Sequence, residues 1–335
     1  MNKKFELTNE STYYCGVKVY RIKALKDFGN VKAGDLGGFV EREANLSHEG
    51  DCWVYDNAIV CNAARVYGNA IIRDYAKIYD YAKVFDNARV YGNAKIFDYA
   101  KIYDNAEISN TAQIFDNAIV YNMARIYERA RVFEKAGVGG NASVFGKAVV
   151  CDDVKIFGDA RVFGDAVICD NAIICNNAQV YGHTQVCDDT KICNKATVCG
   201  EARVCDNAIV DKEMCISGGI FITNTLEESI RCQTGLAPCN GEVIAYKRVN
   251  KDLTSLYDNE FKYIVGEWIE AKNPDTSNKS CASGLHFSNA TYWDRQVDIH
   301  NTTLLIAKIR IEDIITVQQG KIRCKRAFIM GTYDI

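Results

Sequence analysis

Ala64-Arg65-Val66-Tyr67-Gly68-Asn69 is followed at once by Ala70-Ile71-Ile72-Arg73-Asp74-Tyr75, and this six-residue unit runs 27 times from Cys52 to Glu213 without insertion or deletion. From Ala58 to Ala208 the first position is Ala in 23 of 26 units, the exceptions being Val154, Thr184 and Thr190. The third position, from Val60 to Val210, is Val or Ile throughout. A helix would place apolar residues three and four apart, and a flat strand would alternate without a break. Here alternation holds only within each Ala-x-Val triplet. Asp, Gly or Asn then intervenes, residues that bend the chain cheaply or tolerate left-handed backbone. Asn69, Asn87, Asn93, Asn105, Asn117 and Asn171 stand just before the inward Ala. Short strands with a bend every six residues predict an all-β solenoid. Three units make one triangular coil, and coils stack in register as parallel strands ~4.8 Å apart. The repeat then amounts to about nine coils, a prism roughly 43 Å long.

Residues 18 apart should stack into three corner columns. One holds Tyr79, Phe97, Phe115, Phe133, Cys151, Cys169, Cys187 and Cys205. The second holds Tyr67, Phe85, Tyr103, Tyr121, Phe157, Cys175 and Cys193, and the third Tyr91, Tyr127, Phe145, Phe163, Tyr181 and Cys199. All three corners carry the pattern, which argues for packing by stacked rings rather than for one binding face. The cysteines read as small apolar replacements for rings. The columns lighten at Gly137-Val138-Gly139-Gly140-Asn141, which reads as a neutral loss of ring packing or, in the alternative, as an approach for a ligand or neighbouring chain to the backbone at Gly139 and Gly140.

The unit resembles the hexapeptide repeat of left-handed parallel β-helices, an inward aliphatic residue followed four positions later by a small one. Val66 to Ala70, Val84 to Ala88 and Ile102 to Ala106 match it. The resemblance implies the left-handed winding, which spacing alone cannot give, and a homotrimer. Tyr20-Arg21-Ile22, Gly34-Asp35-Leu36-Gly37-Gly38-Phe39-Val40, Asn45-Leu46-Ser47 and Trp53-Val54 resemble the start of hexapeptide-repeat proteins of phages and prophages. Tyr246-Lys247, Val265-Gly266, Cys281-Ala282-Ser283-Gly284-Leu285-His286-Phe287 and Ala290 are similar to a C-terminal domain carried by other phage repeat proteins.

Three regions follow: an N-terminal cap over 1–37, the β-helix over 38–213, and a small α+β domain over 214–335. In the cap, Val17–Ile22 alternates like a strand, and 27–30 and 33–35 read as turns. Two extra residues around His48-Glu49-Gly50-Asp51 shift the repeat frame before Cys52. In the last region strands are expected at Val243–Val249, Phe261–Ala271, Gly284–Ser288, Leu304–Ile311 and Gly320–Cys324, with a short helix near Asn289–Arg295.

A formal charge of −3, with both signs interspersed, gives no electrostatic case for nucleic acid or an anionic membrane. No apolar run is long enough to span a bilayer. Fifteen cysteines behind an N-terminus without a secretory apolar segment read as reduced thiols in a cytoplasm, the host's if the chain is phage-encoded.

The leading functional expectation is a non-catalytic, rod-like scaffold that presents its C-terminal domain to a host or phage protein, with interference in host defence one such role. It needs no cofactor. The first alternative is a hexapeptide-type acyltransferase. Such an enzyme needs a histidine base near a loop that interrupts the coils; this repeat has no such loop, and its only histidine is His183. Zinc chemistry on three histidines is excluded for the same reason, so no metal site is expected. The second alternative is catalysis in the C-terminal domain, of an ADP-ribosyltransferase-like kind. There Tyr246, Arg248 and His286 are the candidate residues, although a glutamate partner is missing. A third is the binding of small anionic signalling molecules at subunit clefts by a column such as Lys77, Lys95 and Arg131.

Overall fold

The structure is a computed structural model that describes residues 3–221, 226–258, 260–275, 282–294 and 301–333. It is a parallel β-solenoid of about ten coils followed by small antiparallel sheets. By internal contacts the chain divides into two compact units, Met1–Asn194 and Lys195–Ile335. No helix among the described residues is long and apolar enough to cross a membrane.

In the first unit each hexapeptide contributes a two-residue strand, such as Ile59–Val60, Arg65–Val66 and Ile71–Ile72. Strands one coil apart pair in parallel with an 18-residue register: Ile59 lies opposite Lys77, Arg65 opposite Lys83, and Lys95 between Lys77 and Gln113. Every strand therefore hydrogen-bonds only to the coils before and after it. The Ile59 N–H donates to the Ala76 carbonyl at 2.9 Å and the Cys61 N–H to that of Ile78 at 3.0 Å. The third-position Val and Ile and the first-position Ala fill the interior, where Ile78, Ala82, Ile102 and Ala106 are fully buried. Thr184 and Thr190 stand at two inward Ala positions, fully buried, and their hydroxyls have no hydrogen-bond partner.

The corners follow one rule. The fifth residue of each unit has left-handed backbone, as at Asp56 (φ 53°), Asn62 (57°), Gly68 (68°), Asp74 (61°) and Asp80 (56°). Asn69, Asn87, Asn93, Asn105, Asn117 and Asn171, the asparagines prominent in the sequence, follow that residue and do not share its conformation. Asp and Asn, whose short polar chains bond locally, adopt this region more readily than other non-glycine residues.

The solenoid begins irregularly. Phe5–Tyr14 and Val17–Ala24 form an antiparallel hairpin, Leu36–Val40 pairs antiparallel with its second strand, and the same Leu36–Val40 then pairs in parallel with Ile59–Val60. The hairpin's first strand has no legible signal: Glu6-Leu7-Thr8-Asn9-Glu10-Ser11-Thr12 is polar and largely exposed. The frame shift before Cys52 lies against the N-terminal strand. Lys4 is fully buried there, and its ammonium donates to the carbonyls of Cys52 (2.9 Å) and Gly50 (3.1 Å). His48 stacks on Phe5 at 4.5 Å and accepts the Lys4 N–H at 3.1 Å.

In the second unit Thr197–Val198 pairs with Cys215–Ile216, and Arg203–Val204 with Ile220–Phe221. A helix spans Leu226–Thr234. Beyond it one antiparallel sheet runs in the order Glu242–Asn250, Thr302–Arg310, Arg326–Tyr333, Trp268–Glu270. A second runs Leu285–Phe287, Lys321–Cys324, Ile314–Gln318. Val243, Ala245, Phe287, Leu305, Ala307, Ile309, Ile322 and Ile329 form the shared core. Gln318 donates to the Cys215 carbonyl at 2.5 Å and Gln233 to that of Val317 at 2.9 Å.

One expectation is corrected here, and the short helix expected near Asn289 is present. Phe261–Ala271 is not one strand: Lys262 makes an isolated antiparallel bridge with Thr254, Gly266 turns the chain at φ +85°, and only Trp268–Glu270 forms a strand. The helix near Asn289 covers Ala290–Asp294, with the Asn289 side chain accepting the Tyr292 N–H at 2.7 Å as its cap. Arg295 and Cys281 lie outside the described residues. The helix Leu226–Thr234 and the strands Ile314–Gln318 and Arg326–Tyr333 carry no periodic signal strong enough to read beforehand.

Candidate functional sites

The corner chemistry is built on carboxylates. The side chain of a left-handed Asp accepts the backbone N–H of the equivalent residue one coil later. Asp56 Oδ2 takes the Asp74 N–H (3.0 Å), Asp74 Oδ2 that of Gly92 (2.8 Å), and Asp104 Oδ2 that of Asn122 (2.9 Å). This satisfies an amide that the short strands leave unpaired. One corner is acidic nearly throughout: Asp80, Asp98, Asp116, Glu134, Asp152, Asp170 and Asp188 succeed one another every 18 residues. Like charges at strand spacing interact. A hydrogen bond shared between Glu134 and Asp152 raises the first carboxyl and lowers the second.

Beside these residues run the columns of rings. At the acidic corner Tyr79, Phe97, Phe115 and Phe133 stack with centroids 5.0, 4.8 and 4.7 Å apart. Tyr127, Phe145, Phe163 and Tyr181 stack in the same way, as do Tyr67, Phe85 and Tyr103. After Phe133 the acidic corner changes to thiols, and each faces the next residue's carboxylate. Cys151 donates to Asp152 (3.4 Å), Cys169 to Asp170 (3.5 Å) and Cys187 to Asp188 (3.5 Å). Burial, with the adjacent carboxylates, pushes the Cys151 and Cys169 thiols up to about 12.

Gly139 leaves no open approach to the backbone. The Tyr121 ring leans into the gap, so that a Cβ on Gly139 would lie 2.3 Å from it, and the Tyr103–Tyr121 spacing widens to 5.7 Å. Gly140 is the left-handed corner residue, at φ +64°, and packs on Gly158. Lys77, Lys95 and Arg131 do share a sheet face. Lys77 lies over the Tyr14 ring at 4.9 Å, and Arg131 over Phe115 and Phe133 at 5.4 and 5.3 Å.

A groove of about 550 Å³ lies along the corner that follows Asp56 and Asp74, lined by Asn110, Glu128, Arg129, Gly146, Lys147 and Asp165 among others. Glycine at 146, 164 and 182 strips that corner of side chains. Asp165 stands between Lys147 (3.5 Å) and His183 Nδ1 (3.6 Å). The His183 side chain is 71% exposed. The 3.6 Å separation is longer than a hydrogen bond, and no inserted loop walls the imidazole in.

In the second unit Tyr246 exchanges backbone bonds with Ser288 at 2.7 and 2.9 Å, and its carbonyl also accepts the Trp293 indole N–H at 2.7 Å. Arg248 is 1% exposed, on the strand face opposite Lys247. His286 has a buried Nε2 without a hydrogen-bond partner. Burial and the cationic Lys247, Lys321 and Arg323 bring its pKa down to about 4, which keeps it neutral. Tyr246 and Arg248 are thus held by the frame, and the residue that joins them to His286 is one the sequence reading passed over. Lys247 is 4% exposed, donates to the His286 carbonyl at 3.3 Å and faces Trp293, Tyr257 and Tyr263 at 5.0, 5.9 and 6.0 Å. Burial lowers its pKa to about 8. The signal was the alternation Val243-x-Ala245-x-Lys247-x-Val249, which puts a lysine on the apolar face.

Fold and corners together define a parallel β-solenoid protein with repeat-built columns. No family model matches the chain. A stretch of 54 residues is 46% identical to part of a protein named uncharacterized acetyltransferase YdcK from Escherichia coli (strain K12). The match covers 16% of this chain and 17% of that protein.

Proposed function

We propose that the chain is a non-catalytic β-solenoid scaffold that binds a protein partner, host- or phage-encoded, and assembles as a homotrimer. The carrying observation is the uniformity of the corners. From Cys52 to Asn194 each coil turns by the same short bends, and His183, the histidine of the repeat, is exposed with nothing enclosing it. Left-handed winding agrees with the hexapeptide pattern and with the partial likeness to an acetyltransferase-named protein. The test supplies acetyl-CoA and a panel of amine and hydroxyl acceptors, and reads release of the CoA thiol. The scaffold reading expects no turnover above the blank, with wild type and His183→Ala alike. Light scattering should give three times the chain mass, and a monomer would remove the trimer from the proposal.

A second reading is acyl transfer at the groove. It is favoured by the 54-residue match and by the His183–Asp165 pair beside Lys147. There His183 would take the acceptor's proton and Asp165 would hold the imidazole. CoA release lost in His183→Ala and reduced in Asp165→Asn would put this reading first.

A further inference from the structure

The thiol rungs of the acidic corner carry more than packing requires. Asp152, Cys169 and Asp170 each offer one ligand atom, and these atoms lie within 4.8 Å of one another. The same Cys-Asp dipeptide stands one coil to either side, at Cys151-Asp152 and Cys187-Asp188. A small apolar filler would explain a cysteine in place of a ring. Beyond that filling, each of the three sulfurs has a carboxylate oxygen within reach, at 3.4 Å on the Cys151 rung and 3.5 Å on the Cys169 and Cys187 rungs, with the Ile168 and Val186 carbonyls a little farther from the first two, at 3.7 and 3.8 Å. The ladder amides do not use up the acids either: the Asp170 and Asp188 N–H groups both fall on Oδ2, of Asp152 and Asp170 respectively, each at 3.1 Å. Cys169 is half-buried and Asp170 exposed, so an ion can reach them from solvent.

We propose that this corner binds a thiophilic divalent cation of the zinc class, through Asp152, Cys169 and Asp170, with Cys151 or Cys187 as the thiol of the next rung. Donor chemistry selects the ion. A thiolate discriminates against calcium and magnesium, which take oxygen donors, whereas mixed sulfur and carboxylate sets suit zinc and its heavier analogue cadmium. Bonds of about 2.0–2.3 Å ask the donor atoms to close to roughly 3.5 Å of one another. Side-chain rotation at a half-exposed corner supplies that closure. On binding, the Cys169 S–H bond breaks, a metal–sulfur bond forms and the proton leaves to water; nothing is oxidised or reduced. The cation also offsets repulsion between carboxylates one strand spacing apart. The stacked repeat makes the site extensible, since each further Cys-Asp rung repeats the donor pair.

The test uses the full chain, kept reduced with a phosphine, and titrates it with cadmium while following the thiolate-to-cadmium charge-transfer absorbance. Zinc is then measured by competition. Wild type should develop the band, and Cys169→Ser and Asp170→Asn should each weaken binding by about tenfold or more, since even outer-shell partners of metal ligands affect affinity on that scale. Asparagine at 170 keeps both the left-handed backbone and an acceptor for the Asp188 N–H, so that variant should fold, as a far-ultraviolet spectrum would verify. His183→Ala should bind as wild type does. Absence of the band in wild type, or wild-type affinity in either corner variant, would overturn the proposal.

Discussion

Replacing Asp74 separates two explanations for the acidic corners. If Asp is chosen only because it tolerates left-handed backbone, glycine should serve as well or better. The structure says otherwise, because Asp74 Oδ2 accepts the Gly92 N–H at 2.8 Å. Alanine at φ 61° costs roughly 1–2 kcal/mol in conformation. Loss of the bond adds about 1 kcal/mol, the low end for a charged acceptor because the part-buried amide can turn to water. Asp74→Ala should therefore lose about 2–3 kcal/mol. Asp74→Gly removes the bond and adds chain entropy, for about 1–2 kcal/mol. Asp74→Asn keeps an acceptor and the backbone preference, and should stay within about 0.5 kcal/mol of wild type. Urea midpoints give the order wild type, Asn, Gly, Ala. Amide exchange at Gly92 should quicken in the Gly and Ala variants and hold in Asn. A glycine variant as stable as wild type, with Gly92 still protected, would refute the carboxylate ladder.

Thr184→Val and Thr190→Val each remove a buried hydroxyl without a partner. Each should stabilise by about 1–3 kcal/mol, read from urea midpoints. At Gly139 an alanine Cβ would lie 2.3 Å from the Tyr121 ring and displace it, at a cost of roughly 1 kcal/mol, whereas Gly139→Phe should restore the stack and leave stability unchanged or higher; a melting curve for each variant decides. The neutral His286 fixes a pH dependence. Its folded pKa, about 4, lies below the ordinary 6.5, so the unfolded chain takes the proton first, and stability should fall as pH drops from about 6.5 to about 4. His286→Phe should flatten that limb of a denaturation profile. Lys247, at about 8 against 10.5, should make stability rise between those two pH values, by a total of roughly 3 kcal/mol. Lys247→Met should abolish that rise and raise the midpoint at pH 7.

The solenoid was legible because its signal is repeated: one Ala-x-Val triplet is ambiguous, and a column of them is not. The ring columns were legible for the same reason. The corner conformation was half legible. Asp, Gly and Asn marked the bend, but the conspicuous asparagines at the sixth position drew the eye from the fifth, where the left-handed residue sits. Sorting by 18 picks out the rings of the fourth position; the same sorting of the fifth position gives Asp80 to Asp188 as one acidic line. The gap at Gly139 could not be read, because whether a missing side chain leaves an opening depends on how far Tyr121 can lean. In the second unit, strands such as Arg326–Tyr333 declare themselves only through their partners. Lys247 is the reverse case: its strand is plain in the sequence, and its burial follows from the alternation Val243-x-Ala245-x-Lys247-x-Val249, which a charged residue on the apolar face disguises.

The acidic corner shows how a repeat can hold its backbone constant while its surface chemistry changes. From Tyr79 to Phe133 the corner is a stack of rings, each pair worth about 0.5–1.5 kcal/mol beyond burial. From Cys151 onward the rings are gone, yet the coil register of 18 continues through Val149 opposite Val167 and Val167 opposite Gln185. What persists across the change is the carboxylate at the fifth position. Glu134 Oε2 takes the Asp152 N–H at 3.0 Å, Asp152 Oδ2 takes that of Asp170, and Asp170 Oδ2 that of Asp188, both at 3.1 Å. The turn is therefore set by the acid and the buried Ala and Val, and the fourth position is free to vary. Where it carries a ring, it adds apolar contact. Where it carries a thiol beside that same acid, the corner acquires a donor set, and the fold need not change to accommodate it.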